Sequence, residues 1–539
     1  MYRKLLKLNF RLIFTSLVFA LVIAFALGFF MVYMVYTGMP GLKPINFSAV
    51  INGLSYLEVG LLVMVFCHAM YCAHQTCLLE EICFIPRSAV VMCKLAASII
   101  ATSTVCLIPC GFILFSAVKQ GTELLFTVNT LCFTLIRWLL LLLTANTYGF
   151  FLGHFIKNVY AYIFAAPFAI LSSYFNTSFI ETFLGFRSFS SRIVSELFSV
   201  CDSHQATMEM DYPGSRVDLY YLLDALFLVL VSLVLMWLLN VIVSKRFSVK
   251  KAAVGIVLIG SVGLTVLAYV TLAPIEYRYE EKLYLASYEA QPYEITDYEG
   301  DFALSEFSQF SGSFTVRPIG TQTPETLTIK LDGCFTVDEL TSKDGPVEFT
   351  RSGDYLTLEA PSEPTTFQIR YHGRVYYLSD QDCVNLFTSW LSAALPPNFA
   401  FVPLIDGDLS TKNYDIRVSC ANTVVSNVDV TPEGKLYHLN GQASSLCIFS
   451  GFLTECELDG ITVYRTKYNF VTDYNAVLQR AMSGGYYFDP YAYDPHTHEI
   501  KQGSFSKPDK AFLIYSLYDV LGFPIVYEDY ILLNYGFTL

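Results

Sequence analysis

Hydrophobic positions run almost unbroken through the first half of the chain and alternate with polar ones through the second. The long apolar stretches fall at about 12–36, 51–73, 90–117, 125–150, 158–175, 219–243 and 252–274. A helix crosses a bilayer with about 20 mostly apolar residues, so the pattern predicts seven spans, of which 158–175 is the shortest. The first is too long for a cleaved leader, and no small-residue cleavage site follows it. From Tyr277 onward the period drops to two. "TLTIKL" (Thr326–Leu331), "VEFTRSGDYLTLEA" (Val347–Ala360), "TFQIRYHGRVYYL" (Thr366–Leu378), "YDIRV" (Tyr414–Val418) and "GITVYRTKY" (Gly460–Tyr468) read as strands, with turns at Ser352-Gly353 and His372-Gly373. Short strands at this spacing predict an antiparallel, sandwich-like domain over 276–470. The remainder, 471–539, reads as mixed α/β, with a helix from Asp473 to Met482. No heptads or internal repeats occur.

Composition sharpens the division. Only 15% of the 539 residues are charged, against about 25% in soluble proteins. Residues 1–275 hold 17 Lys/Arg and 11 Asp/Glu, a net of +6; residues 276–539 hold 17 and 36, a net of −19. The expected architecture is therefore a polytopic α-helical membrane protein over 1–275 carrying a C-terminal β-sandwich-like extracytoplasmic domain. No nucleic-acid partner is expected.

Orientation follows from basic residues near the span ends. With the N-terminus in the cytoplasm, Arg3, Lys4, Lys7, Arg11, Arg87, Lys94, Lys157, Lys245, Arg246, Lys250 and Lys251 all lie inside. Outside fall only Lys43, Lys119, Arg187, Arg192 and Arg216. An odd number of spans then sends everything after residue 275 outside a plasma-membrane protein.

Between the second and third stretches lies "LLEEICFIPRSAVVMCK", Leu78 to Lys94. Leu78, Leu79, Ile82 and Ile85 recur at helical spacing, Glu80, Glu81 and Arg87 fall off that stripe, and Pro86 stops a helix before the next span. An ordinary solvated loop has such charges too; an amphipathic helix at the membrane surface is the more specific reading. Acidic residues, a few apolar ones, Pro-Arg-Ser and a Lys seven residues after the Arg resemble the first cytoplasmic loop of ABC type-2 exporter permeases. "MYRKLLKLNFRLIF" is similar to that family's interfacial connecting helix, and the resemblance covers about 1–245. It implies that Glu80, Glu81, Pro86 and Arg87 form a coupling loop. It also implies a separate cytoplasmic ABC ATPase as partner and a second permease subunit, identical or not. One feature departs from the family: the usual permease has six spans, and Val254–Ile275 is a seventh. No G-x-x-x-x-G-K-[ST] phosphate cradle is present, so no cofactor is expected in this chain and ATP belongs to the partner.

Two ionisable residues lie inside predicted spans, Glu58 in the second and Arg137 in the fourth. Charge in a bilayer faces a partner or a water path. Both spans run from outside to inside, and the depths of the two residues differ by less than about 10 Å. A substrate-path or gating pair and a structural ion pair both fit. His68 reads as a packed polar residue.

A second resemblance covers about 280–470. The order of "LTIKLD", a hairpin around "RSGDYLTLEAP", "IRYHG", "FVP", "YDIRVSCANTVVSN" and "GITVYRTKY" is similar to the N-terminal β-domain of aminopeptidase-N-like zinc peptidases. The catalytic motif does not carry over. Zinc needs H-E-x-x-H on one helical face, and His498-Glu499 continues Ile500-Lys501-Gln502. His496, His498 and Asp494 sit in a turn-rich stretch where such groupings arise by chance, and no metal site is expected. Eight of the 14 cysteines lie in or beside predicted spans; the other six, Cys201, Cys334, Cys383, Cys420, Cys447 and Cys456, permit disulfides in an outer compartment. The expected function is the membrane subunit of an ABC-type exporter, not an enzyme by itself. The alternatives are a membrane-anchored binding or sensing protein and half of a split surface peptidase.

Overall fold

The computed structural model describes residues 2–36, 47–75, 86–156, 159–173, 176, 189–201, 217–245, 248–273, 275–277, 291–320, 324–379, 385–468, 474–483, 485–487, 501–503, 506–513, 524–527 and 529–533. The chain divides after Ala273 into a helical unit and a sheet-rich unit.

Among the described residues of the helical unit, five helices are long and apolar enough to cross a membrane, at Leu57–His74, Arg87–Lys119, Leu124–Phe155, Leu219–Ser244 and Val249–Leu272. A sixth is counted if the bent pair Tyr2–Phe14 and Leu17–Phe29 forms one span. Among the described residues, then, five or six of the seven expected spans find a helix of spanning length. At the first, the chain bends by 61° around Thr15-Ser16, where the Thr15 hydroxyl donates to the Arg11 carbonyl at 2.8 Å and satisfies a helix-end acceptor. At the fifth, residues 159–171 form a 3₁₀ turn, Val159–Phe164, and a short helix, Ala165–Leu171. The apolar helical part, Tyr162–Leu171, is 10 residues long, roughly 15 Å and half of what a bilayer core demands. The third span is broken by a 3₁₀ turn at Thr104–Cys106 between the helices Arg87–Ser103 and Leu107–Gln120. Pro109 explains the break: it offers no N–H to the Val105 carbonyl, and its ring crowds that group.

The most extensive helix pairing joins Phe47–His74 to Leu124–Phe155. Residue numbers rise together along the contact, so the two helices run in the same direction. Gly149 and Gly153, one turn apart, set the spacing. A Cβ on Gly149 would lie 2.4 Å from the Phe66 carbonyl oxygen, and one on Gly153 would lie 2.9 Å from the Met70 Cα. Ala69 and Ala73 face them across the seam. In lipid, where burial of apolar surface drives no association, such small residues let backbones approach and gain dispersion contacts. Helices Leu219–Ser244 and Val249–Leu272 form a hairpin closed by Trp237, whose ring lies over Gly255 and whose Nε1 donates to the Lys251 carbonyl at 2.9 Å. Asp218 and Ser248 cap the two N-termini.

The sheet-rich unit is built on an eight-stranded sheet. Its spatial order is Asp429–Glu433, Leu436–Ala443, Lys412–Ser419, Tyr293–Ala303, Ser308–Pro318, Thr365–Gly373, Phe335–Ser342 and Gly345–Pro346. Strict alternation of buried and exposed residues in Lys412–Ser419 and Thr365–Gly373 shows one packed face and one wet face. The sheet is not wholly antiparallel as expected: Lys412–Ser419 pairs with Tyr293–Ala303 in parallel. Parallel pairs also join Ile461–Thr466, Lys510–Leu513 and Tyr530–Leu533 in a five-stranded sheet. The helix expected there runs Tyr474–Met482. The Ser352 turn forms as a two-residue hairpin loop with Gly353 at φ 59°. His372-Gly373, expected as a turn, instead ends a strand. A Cβ on Gly373 would lie 2.3 Å from the Cys334 carbonyl oxygen, so glycine there serves close strand approach.

Aromatic rings fill the core beneath the sheet. Tyr298 and Tyr414 stack with centroids 5.1 Å apart. Their neighbour Tyr371 donates to the Phe401 carbonyl at 2.5 Å, and Tyr298 donates to the Pro403 carbonyl, tying down the irregular segment between residues 396 and 405. Lys412 is 1% exposed, and its ammonium donates to the carbonyls of Ser410, Ser444 and Asp408 at 2.8, 3.0 and 3.2 Å. The Asp408 carboxylate lies 3.4 Å from it and accepts from the Ile295 amide at 2.8 Å.

Two outcomes test this packing. Gly149→Val should lower thermal stability in detergent by about 1–3 kcal/mol through overpacking, while Gly28→Val, with nothing within 4 Å of a Cβ, should leave it nearly unchanged. Equal effects would remove the seam argument. In the other unit, Lys412→Met strands a buried carboxylate and should cost about 3–5 kcal/mol in urea unfolding; a loss below about 1 kcal/mol would show that Asp408 reaches water.

Candidate functional site

Glu58 and Arg137 meet inside the helical unit. Arg137 donates from Nε to Glu58 Oε2 at 2.9 Å, and its Nη2 lies 2.7 Å from the same oxygen. The residues are 2% and 5% exposed. The Arg137 guanidinium also lies 5.9 Å from the Phe133 ring, which stacks on Tyr221 from the Leu219–Ser244 helix. The pair thus holds together the same two helices that the glycine seam brings close.

About ten residues further along both helices, roughly 15 Å away, lies a second buried polar group that sequence reasoning missed. The Ser98 hydroxyl donates to Asn146 Oδ1 at 2.6 Å, and Asn146 Nδ2 donates to Thr102 Oγ1 at 2.8 Å and to the Leu142 carbonyl at 2.6 Å. His68 Nδ1 lies 3.5 Å from Ser98 Oγ, and Cys72 Sγ lies 3.6 Å from His68 Nε2. His68, Ser98, Thr102 and Asn146 are all fully buried. His68 is therefore a packed polar residue, as expected, at the edge of a polar network that spans three helices. Ser98 and Thr102, one turn apart in an apolar stretch, were the available signal. A third polar contact joins the helix Phe189–Phe198 to two long helices: Glu196 accepts from the hydroxyls of Tyr220 at 2.8 Å and Tyr269 at 3.3 Å.

The coupling-loop candidates divide. Glu80 and Glu81 lie outside the described residues. Pro86 immediately precedes the helix that starts at Arg87, and both residues are exposed. No group of three or more His, Cys, Asp or Glu suited to a metal occurs among the described residues; His496, His498 and Asp494 lie outside them. In the sheet-rich unit Cys420, Cys447 and Cys456 are free thiols, and Cys383 is outside the described residues. Burial pushes the Cys447 thiol up strongly, which makes it unreactive. Burial, with the neighbouring Asp332 carboxylate, likewise raises the Tyr377 phenol, which donates to Asp332 Oδ1 at 2.6 Å. A cavity of about 30 Å³ beside Lys330, Asp406 and Lys412 has room for little more than a water.

No family model matches the chain, and no curated protein matches it. Among solved structures, it is similar to the M1 zinc metallopeptidase of Deinococcus radiodurans, with 14% identity over 34% of this chain and 49% of that one, at a TM-score of 0.26. It is also similar to yeast LTA4 hydrolase in complex with bestatin, with 12% identity over 48% of this chain and 42% of that one, at a TM-score of 0.29. The chain thus spans about half the length, or less, of these structures. A likeness at such scores carries no argument about fold or activity. The permease resemblance finds no counterpart among the structures named here.

A double-mutant cycle measures the buried pair. Glu58→Leu or Arg137→Leu alone should each cost about 3–5 kcal/mol by depriving a buried charge of this counterion, and the double variant should cost less than either. Additive losses would mean that the two side chains do not interact.

Proposed function

We propose that this chain is the membrane-spanning subunit of an ABC-type exporter, driven by a separate cytoplasmic ATPase and assembled with a second permease subunit. The observation that carries the reading is the dry Glu58–Arg137 pair between two long apolar helices, with a second buried polar group further along the same pair. A domain that merely anchors an outer module needs apolar helices alone. Paying the desolvation cost of two charges fits helices that must hold one specific arrangement against others. The basic clusters at the ends of the helices set the topology in this reading: N-terminus in the cytoplasm, sheet-rich unit outside the plasma membrane. Force from the ATPase enters at Glu80, Glu81, Pro86 and Arg87. The chain has no catalytic role of its own, and its outer unit is an accessory domain.

Two measurements test the reading. Affinity capture of the full chain from its native membranes should bring down an ATPase, and reconstitution should stimulate ATP hydrolysis. Glu80→Lys combined with Glu81→Lys should insert and fold normally yet lose the ATPase, because like charges then face a basic partner surface. A double variant that captures and stimulates the ATPase like wild type removes the coupling role, and a wild-type chain that captures none favours the anchored sensor. Separately, the purified full chain supplied with zinc should hydrolyse no aminoacyl substrate above a chelator-treated control. Chelator-sensitive hydrolysis would favour the peptidase reading.

A further inference from the structure

The helix Tyr2–Phe14 carries three distinct strips. Leu6, Asn9, Phe10 and Ile13 form the first, and Leu6, Phe10 and Ile13 pack on a cluster that includes Val91 and Leu95 of the helix Arg87–Ser103. The second is basic. Arg3, Lys4, Lys7 and Arg11 fall within about 100° of the circumference, all four are exposed, and the helix holds no acidic residue. The third is apolar: Leu5, Leu8 and Leu12 lie beside the basic strip, and Leu12 is 40% exposed. The helix then bends by 61° into the apolar helix Leu17–Tyr36. A helix packed on one side, with a partly exposed leucine strip next to a basic strip and leading directly into a long apolar helix, has the amphipathic order of a membrane-surface helix.

We infer that Arg3, Lys4, Lys7 and Arg11 form a docking strip for anionic phospholipid headgroups, with Leu5, Leu8 and Leu12 reaching into the acyl region beneath them. This rests on the proposal that the helical unit lies in a bilayer, and it adds a lipid class to it. The argument for the occupant is charge complementarity together with position. Four like charges within two turns repel one another, and anionic headgroups relieve that repulsion, whereas zwitterionic ones do so poorly. The neighbouring leucine strip suits acyl chains and not the surface of an acidic soluble protein.

The test uses the full chain in nanodiscs containing equimolar phosphatidylglycerol and phosphatidylcholine with matched chains, and reads the lipids retained after gentle detergent extraction by native mass spectrometry. Wild type should retain phosphatidylglycerol in roughly tenfold preference at low salt, with the preference falling as ionic strength rises. Arg3→Gln, Lys4→Gln, Lys7→Gln and Arg11→Gln together should bring the ratio to about one. Arg3→Lys with Arg11→Lys should keep it. Vesicle flotation of each variant reports insertion separately, so a chain that never enters the bilayer counts against the membrane reading, and one that inserts without lipid preference counts against this inference alone. A wild-type ratio near one, or a quadruple variant that keeps the wild-type ratio, overturns the inference. So does loss of the captured ATPase by the quadruple variant without loss of lipid preference, which would identify the strip as a protein contact.

Discussion

One carboxylate and one guanidinium, from Glu58 and Arg137, set the terms for the helical unit. Both are buried, and the two charges compensate each other at 2.7 Å. Neither tolerates losing the other, because a lone buried charge costs several kcal/mol even after relaxation. The pair therefore fixes how far the helix Phe47–His74 can slide along Leu124–Phe155. The glycine seam at Gly149 and Gly153 depends on that register, since a shift of one residue would bring side chains where only backbone fits. The His68, Ser98, Asn146 and Thr102 contacts depend on it in turn, and they bring in the helix Arg87–Ser103.

The sheet-rich unit applies the same rule with different groups. Lys412 is as buried as Arg137, and three carbonyls plus Asp408 surround its ammonium. Tyrosine hydroxyls aimed at main-chain carbonyls hold an irregular buried segment that is bridged to a strand at Leu404. Here water-driven burial of aromatic area supplies stability, and polar contacts supply specificity. In the helical unit the apolar surface finds no such drive if its surroundings are lipid, so close packing and paired polar groups carry a larger share.

How much was legible follows from these forces. Long apolar runs and period-two alternation are direct consequences of burial, and they located five spanning-length helices and most strands. Glu58 and Arg137 stood out because charge in an apolar run is costly, and the structure brings them together. Sequence reasoning failed where tertiary contact decides. The stretch 158–175 is apolar enough to span, yet within it residues 159–171 form a 3₁₀ turn and a short helix. Gly373 resembled a turn residue but is needed for close approach of a strand to Cys334. Parallel pairing of Lys412–Ser419 with Tyr293–Ala303 joins strands more than a hundred residues apart, and no local pattern encodes it. Asn146 was passed over because one amide in a leucine-rich run carries no sign of which hydroxyls it will meet.

The account stands or falls on the helical unit lying in a membrane with the sheet-rich unit on its outer side. Single cysteines introduced at Glu363 and at Arg246, each compared with the unsubstituted chain, can be probed on intact cells with a membrane-impermeant thiol reagent. The account predicts added labelling at position 363 and none at 246 until the membrane is permeabilised. Labelling at 246 from outside, or at neither position before permeabilisation and both after, would contradict it.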